Sequence, residues 1–171
     1  MIRKTVIAVM FVCFGLTAFA EKDLPEIKVR DLELEGLMVK NGPLSLIATF
    51  DVRKEAIVDD LVFDFYLWLE PRNDDYPAQY FHCRTVHRFL EEQSNYISAV
   101  ELNAMALKII SPRRSKYALV VSYKGEEVAV ENSENEKRWW EEPSMGTPIE
   151  NMLSRSSTAP IVRIWESAGN Q

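Results

Sequence analysis

The stretch His82-Cys83-Arg84-Thr85-Val86-His87 is the one place where nucleophile and ligand types cluster in this chain. On an extended strand successive side chains alternate faces, so Cys83 and His87 share a face and His82 points away. Zinc is held by four protein ligands, or by three and a water. These are the only two histidines, and the other cysteine, Cys13, lies in an N-terminal apolar run. No metal site and no cofactor is expected. A hydrolase built on Cys83 with His87 as its base is the alternative. Residues four apart on a strand sit about 13 Å from each other, and such a pair also needs an orienting group and an oxyanion pocket. The simpler reading is a strand with Phe81, Cys83 and Phe89 turned inward and no catalytic residue. The acidic pairs Asp59-Asp60 and Asp74-Asp75 lack the spaced, glycine-containing pattern of a calcium loop. No glycine-rich phosphate loop occurs among the six glycines.

A second group could bind rather than react. Tyr66 and Trp68 fall on the polar side of a strand whose other side is wholly apolar. If the following strand pairs with it, Tyr80, His82, Arg84 and Arg88 join them on one outer face. Aromatic rings beside cationic donors on a flat sheet can stack a sugar or anchor a protein partner. The competing expectation is self-coverage. Trp139, Trp140, Met152, Leu153 and Trp165 of the C-terminal segment are too apolar to stand in water, and this face would give them a surface.

The elements that must position these residues are strands. Leu44, Leu46, Ala48, Phe50 and Val52 alternate with polar residues, Ile47 excepted; Leu61, Phe63, Phe65, Leu67 and Leu69 alternate with Val62, Asp64, Tyr66, Trp68 and Glu70; Tyr117, Leu119, Val121 and Tyr123 form a third stripe. Alternation of this length marks half-buried strands, since a helix would spread each set over every face. Asn41-Gly42-Pro43, Pro71 to Pro77, Ser111 to Ser115 and Lys124-Gly125 supply turns or loops. Ile27 and Val29 share one parity and Leu32 and Leu34 the other, which calls for a bulge near Arg30. Residues 96–110 begin as a strand and end on Ala104-Met105-Ala106-Leu107, which suits a helical turn. About seven short strands and no long amphipathic helix predict an all-β antiparallel sandwich over residues 21–132.

The stretch Ile110-Ser111-Pro112 followed by Tyr117-Ala118-Leu119-Val120-Val121 resembles the start of strand F in immunoglobulin-like and fibronectin type III-like domains. There a tyrosine bonds back to the upstream backbone. The resemblance covers about a dozen residues. The proline-to-tyrosine spacing is one longer, no inward tryptophan sits on the third strand, and the paired cysteines of antibody domains are absent. It implies an architecture and no activity.

The two ends differ from the middle. Met1-Ile2-Arg3-Lys4, an apolar run from Val6 to Leu16, and Ala18-Phe19-Ala20 have the layout of a secretory signal peptide cut after Ala20. The expected location is the periplasm or the medium, with no transmembrane segment in the mature chain. Loss of residues 1–20 removes Arg3 and Lys4 and no acid, so the net charge moves from −6 to −8. That balance argues against nucleic acid and anionic lipid as partners. Cys83 is then the single cysteine left, and it is a buried thiol, a free one or an intermolecular one. Residues 133–171 form a tail. Ser133-Glu134-Asn135-Glu136 and Thr147-Pro148-Ile149-Glu150 read as capping boxes, each opening a short helix. The run from Arg155 to Trp165 is similar to tails of exported bacterial proteins. These observations lead to an exported, non-enzymatic interaction module that binds a protein partner in the cell envelope, with a carbohydrate-binding module as the alternative.

Overall fold

The computed structural model describes residues 24–36, 42–134 and 138–156, apart from the side chains of residues 55 and 56. The expected signal peptide, Asn41 of the first turn, Glu136 of the first capping box and Trp165 lie outside the described residues.

Among the described residues, eight strands form two four-stranded sheets. One sheet has the order β1 (Glu26–Glu35), β2 (Leu44–Val58), β5 (Leu90–Leu102), β8 (Leu153–Arg155). The other has the order β4 (Gln79–His87), β3 (Leu61–Pro71), β6 (Pro112–Tyr123), β7 (Glu126–Asn132). Every strand pairing is antiparallel. The alternating stripes meet between the sheets: Phe50, Leu46 and Leu44 from β2 face Phe63, Phe65, Leu67 and Leu69 from β3, all essentially without solvent contact. Phe50 and Phe63 lie 4.7 Å apart between ring centres. Burying side chains of this size contributes about 1.5–3 kcal/mol each. Among the described residues the one cysteine, Cys83, is free, and this core of aliphatic and phenyl groups holds the described fold without a disulfide.

The register between β1 and β2 shifts between Val29 and Asp31, so the chain changes parity at Arg30 as its sequence requires. Between β6 and β7, Lys124 and Gly125 both take positive φ, 50° and 81°, which a two-residue hairpin with matching twist demands.

The seven strands expected over residues 21–132 are β1 to β7, and Leu153–Arg155 of the tail adds an eighth at the edge of β5. Three expectations are corrected. Ser111 to Ser115 is no loop: only Ser111 turns, with φ 43°, and β6 starts at Pro112. Phe89 does not face inward. It occupies the β4–β5 turn with φ 56° and is 71% exposed, because the reversal at Arg88-Phe89 breaks the alternation. The second capping box opens no helix. In the first, Ser133 is clamped to β6, its Oγ accepting from the Tyr117 amide at 3.0 Å, residues 135–137 lie outside the described ones, and a 3-10 turn spans Trp139–Glu141. Ile149 is drawn into a parallel bridge with Phe81, which overrides the helical start at Thr147, and a second 3-10 turn falls earlier at Pro143–Met145.

Residues 96–110 divide cleanly. β5 runs to Leu102, and α1 (Ala104–Ile110) follows with Asn103 as its cap, Oδ1 accepting from the Met105 amide at 2.7 Å.

Candidate functional site

The antiparallel register of β3 and β4 places Tyr80 opposite Trp68, His82 opposite Tyr66 and Arg84 opposite Asp64 on the outer face. Arg88 lies beyond β4 and pairs with Asp60 at 3.1 Å. The five residues singled out as a binding surface therefore share one sheet face. The tail lies over much of that face. Trp139 and Trp140 are buried on it together with Tyr80 and Ala118, and Tyr66, Trp68, Val120 and Val130 flank them. Trp140 stacks on Tyr66 at 5.9 Å with rings 17° apart, and Tyr80 donates its hydroxyl to the Trp140 carbonyl at 3.0 Å. Burial, with the Tyr66 and Glu141 charges adding to it, pushes the Tyr80 phenol up to about 12. Tyr66 and Trp68 are half-buried, and Lys116 sits over the Trp68 ring at 5.8 Å.

Beside the aromatic layer is an ionic one that sequence reasoning missed. Asp64 is buried on the outer side of β3. It accepts from His82 Nε2 at 2.7 Å, Arg84 Nε at 2.8 Å and Arg84 Nη2 at 3.1 Å. Burial pushes its carboxyl up, but the bonds from His82 and Arg84 outweigh that and hold it below its ordinary value. The signal was present in the alternation, which puts an acid among Val62, Tyr66 and Trp68 and opposite a basic strand. The cluster is satisfied internally. His82 stacks on Tyr66 at 4.9 Å, and Cys83 projects to the other side of the sheet.

His87 is held away from chemistry. Its Nε2 meets Ser98 Oγ at 2.7 Å, and its ring lies against Phe63 and Phe50 at 4.9 and 6.0 Å. Burial, helped by the Arg155 charge, lowers its pKa to about 4. The Cys83 thiol is half-buried and pushed up by burial, with the Asp64 charge adding to it. An activated thiol needs the opposite shift. Among the described residues no group of three His, Cys, Asp or Glu is placed to hold a metal ion.

An apolar groove lies elsewhere, at the end of the sandwich where β5 passes into α1. α1 has apolar residues on both sides and buries only one. Ala106 and Leu107 enter the core, while Met105 and Ile109, four apart on the other face, are 73% and 74% exposed. Ile109 and Ile110 form one wall of a groove of about 240 Å³, floored by Phe81. Tyr76 and Pro77 of the β3–β4 loop form a second wall, and Ile149 and Met152 of the tail a third. Tyr76 is 61% exposed. Exposed apolar side chains gathered in one place mark interaction surfaces more often than single ones do. Sequence reasoning missed this groove because its walls come from three distant segments. Its one local signal was a seven-residue helix with too few polar positions to cover both faces. A second recess of about 430 Å³ opens along the seam by His82, Cys83, Arg84, Glu150 and Asn151 and is more polar.

Leu153 of the predicted docking residues is buried in the main core through its place in β8. Among the described residues no helix is long and apolar enough to cross a membrane. No family model matches the chain, and no curated protein matches it. A crystal structure of a protein from Akkermansia muciniphila is similar over 84% of this chain and 90% of its own, with a TM-score of 0.65 and 20% identity. At that identity the likeness is one of fold: two antiparallel sheets in a β-rich bacterial protein.

Proposed function

We propose that the chain is an exported, non-enzymatic interaction module that binds a protein partner in the cell envelope through the apolar groove beside α1. The observation that carries this reading is the exposure of Ile109, Tyr76 and Met152 around a concave apolar floor. We read the sandwich as immunoglobulin-like. Support comes from the strand order, β1-β2-β5 against β4-β3-β6-β7, which follows A-B-E against C′-C-F-G. Against the closer likeness stands the tyrosine: among the described residues the Tyr117 hydroxyl makes no bond to the upstream backbone, and its amide and carbonyl are taken by Ser133. A glycan platform on Tyr66 and Tyr80 loses its stacking surface to Trp139 and Trp140.

The reading is tested by crosslinking pull-down from the native envelope with the wild type and Ile109→Arg. Ile109 is exposed in the last turn of α1, where a cation suits the helix end, so the variant keeps the fold. A partner captured by the wild type and reduced tenfold or more by Ile109→Arg is expected. Equal recovery of every captured protein by both chains refutes the reading.

A further inference from the structure

We infer that the open edge of β4, from Arg84 to Arg88, takes an extended acidic segment of a partner protein as a further strand of its sheet. The site is separate from the groove beside α1.

Among the described residues β4 ends its sheet, with β3 as its one strand neighbour there. The tail meets the other side of β4 once. The Ile149 amide donates to the Tyr80 carbonyl at 2.7 Å, and the Ile149 carbonyl accepts from the His82 amide at 3.4 Å. Asn151 then takes φ 65°, and the chain leaves β4 to pair with β5 as β8. The amide and carbonyl of one strand residue point to the same side, and successive residues alternate sides. Tyr80 and His82 address the tail side, so Arg84 and Val86 address it too, while Cys83 and Thr85 bond toward β3. Among the described residues no backbone group takes up the amides and carbonyls of Arg84 and Val86. The recess of about 430 Å³ lies along this stretch, between His82, Cys83 and Arg84 on one side and Glu150, Asn151 and Leu153 on the other. A row of donors and acceptors spaced along a strand is met in full by another extended backbone. Ile149 already pairs with β4 in that way, at one position.

Charge selects the occupant. From Gln79 to Arg88 the chain has no acid, although the whole protein carries −6. The side chains of Arg84 and Arg88 are 63% and 70% exposed even while paired with Asp64 and Asp60. Among the described residues lining the recess the one acid is Glu150, next to Ile149. Facing strands gain from opposite charges and lose from like ones. A second copy offering its own β4 would set Arg84 near the Arg84 or Arg88 of that copy in every antiparallel register. Cations on this edge therefore turn away a like edge. A strand with carboxylates at alternate positions meets no such repulsion and gains a pair at Arg84 and at Arg88.

The probe is the capped heptapeptide Glu-Thr-Glu-Thr-Glu-Thr-Glu, whose β-branched residues favour an extended chain. Amide exchange is followed by NMR in the chain from Glu21 on. Without peptide, Arg84 and Val86 should exchange quickly and Cys83 and Thr85 slowly. With peptide at about ten times its Kd, Arg84 and Val86 should slow about tenfold. The lysine counterpart, Lys-Thr-Lys-Thr-Lys-Thr-Lys, should bind about tenfold more weakly. Val86→Pro removes one edge amide and no bond to β3, a place where edge strands accept proline, and should cut binding about tenfold. Arg88→Glu, an exposed change, should weaken the acidic peptide about threefold. Methylating the backbone nitrogens of either the Glu or the Thr residues gives two further probes. One alternate set faces β4, so one probe should lose binding and the other keep it, whether or not Val86→Pro folds.

No slowing by the acidic peptide at roughly millimolar concentration overturns the inference. The same result from both methylated probes overturns it, as does undiminished binding to a folded Val86→Pro. Slow exchange of Arg84 and Val86 in the free chain overturns it too, because the edge is then already covered. Light scattering assigns that cover to a second copy where the mass exceeds a monomer, and to the chain itself where it does not. Ile109→Arg should leave all these results unchanged, so failure here and failure of the groove reading are told apart.

Discussion

Acid should weaken this fold before Asp51 and Asp64 protonate, and His87 is the reason. Its imidazole is enclosed by Phe50, Phe63 and Ser98, with Arg155 as the charged neighbour from β8. The folded group takes a proton only near pH 4, the unfolded one near 6.5. Between those values the unfolded chain holds the extra proton. The His87 contribution is thus fully present above pH 6.5 and is lost as pH falls toward 4. The whole gap corresponds to about 3 kcal/mol, and at pH 4.5, short of the folded pKa, about 2 kcal/mol has gone. Asp51 and Asp64 titrate lower, Asp51 near 2 and Asp64 below its ordinary value, and act later. Urea unfolding at pH 7 and pH 4.5 reads the loss. His87→Gln supplies the control, since an amide can keep a hydrogen bond to Ser98 without titrating. The wild type should lose about 2 kcal/mol more than His87→Gln between the two pH values. Equal losses in both proteins would refute the burial argument for this residue.

Two further outcomes follow from the same contacts. Trp140→Ala should cost about 3 kcal/mol, the usual loss for a buried tryptophan, in thermal or urea unfolding. In that variant the Tyr80 phenol, held near pH 12 while covered, should titrate closer to 10 when followed by ultraviolet absorbance. Phe89→Gly should be neutral to stabilising by up to about 1 kcal/mol, because an exposed phenylalanine with φ 56° gains nothing from burial and pays for its left-handed backbone. A loss above 1 kcal/mol would mean that Phe89 makes contacts its exposure denies.

The sandwich was legible because its strands write their own period. Leu61 to Leu69 alternates without a fault, and every odd residue of that stripe is buried. Even the bulge at Arg30 could be read, since parity must change where Val29 gives way to Leu32. Legibility failed where tertiary contacts decide local structure. Thr147-Pro148-Ile149-Glu150 has the composition of a helix start. Ile149 instead exchanges backbone bonds with β4, its amide donating to the Tyr80 carbonyl at 2.7 Å and its carbonyl accepting from His82. Two such bonds at an otherwise open sheet edge outweigh the weak preference of a two-turn helix. Asp64 and Asp51 escaped notice for a related reason. A carboxylate on a strand reads as solvated unless its cross-strand neighbours are known, and here Arg84 and Arg30 lie across from them.

The tail from Arg138 to Ser156 joins the two halves of the problem. It lays Trp139 and Trp140 on the outer face of one sheet, bridges to β4 through Ile149, and closes on β5 through Leu153–Arg155. One strap therefore ties both sheets together on the side where β4 and β8 meet. Its apolar residues split into two kinds. Trp139, Trp140 and Leu153 are buried where they lie, whereas Ile149 and Met152 keep 39% and 44% of their surface and form a wall of the groove. Buried strap residues account for stability; the exposed ones make sense only as part of a surface. The backbone bonds of Ile149 anchor that wall to β4 without help from the tryptophans. Removing Trp140 should thus weaken the fold and leave the groove wall in place, while Ile109→Arg should spoil the groove and leave stability alone. A chain in which both changes moved both properties together would have one cooperative surface where two are argued.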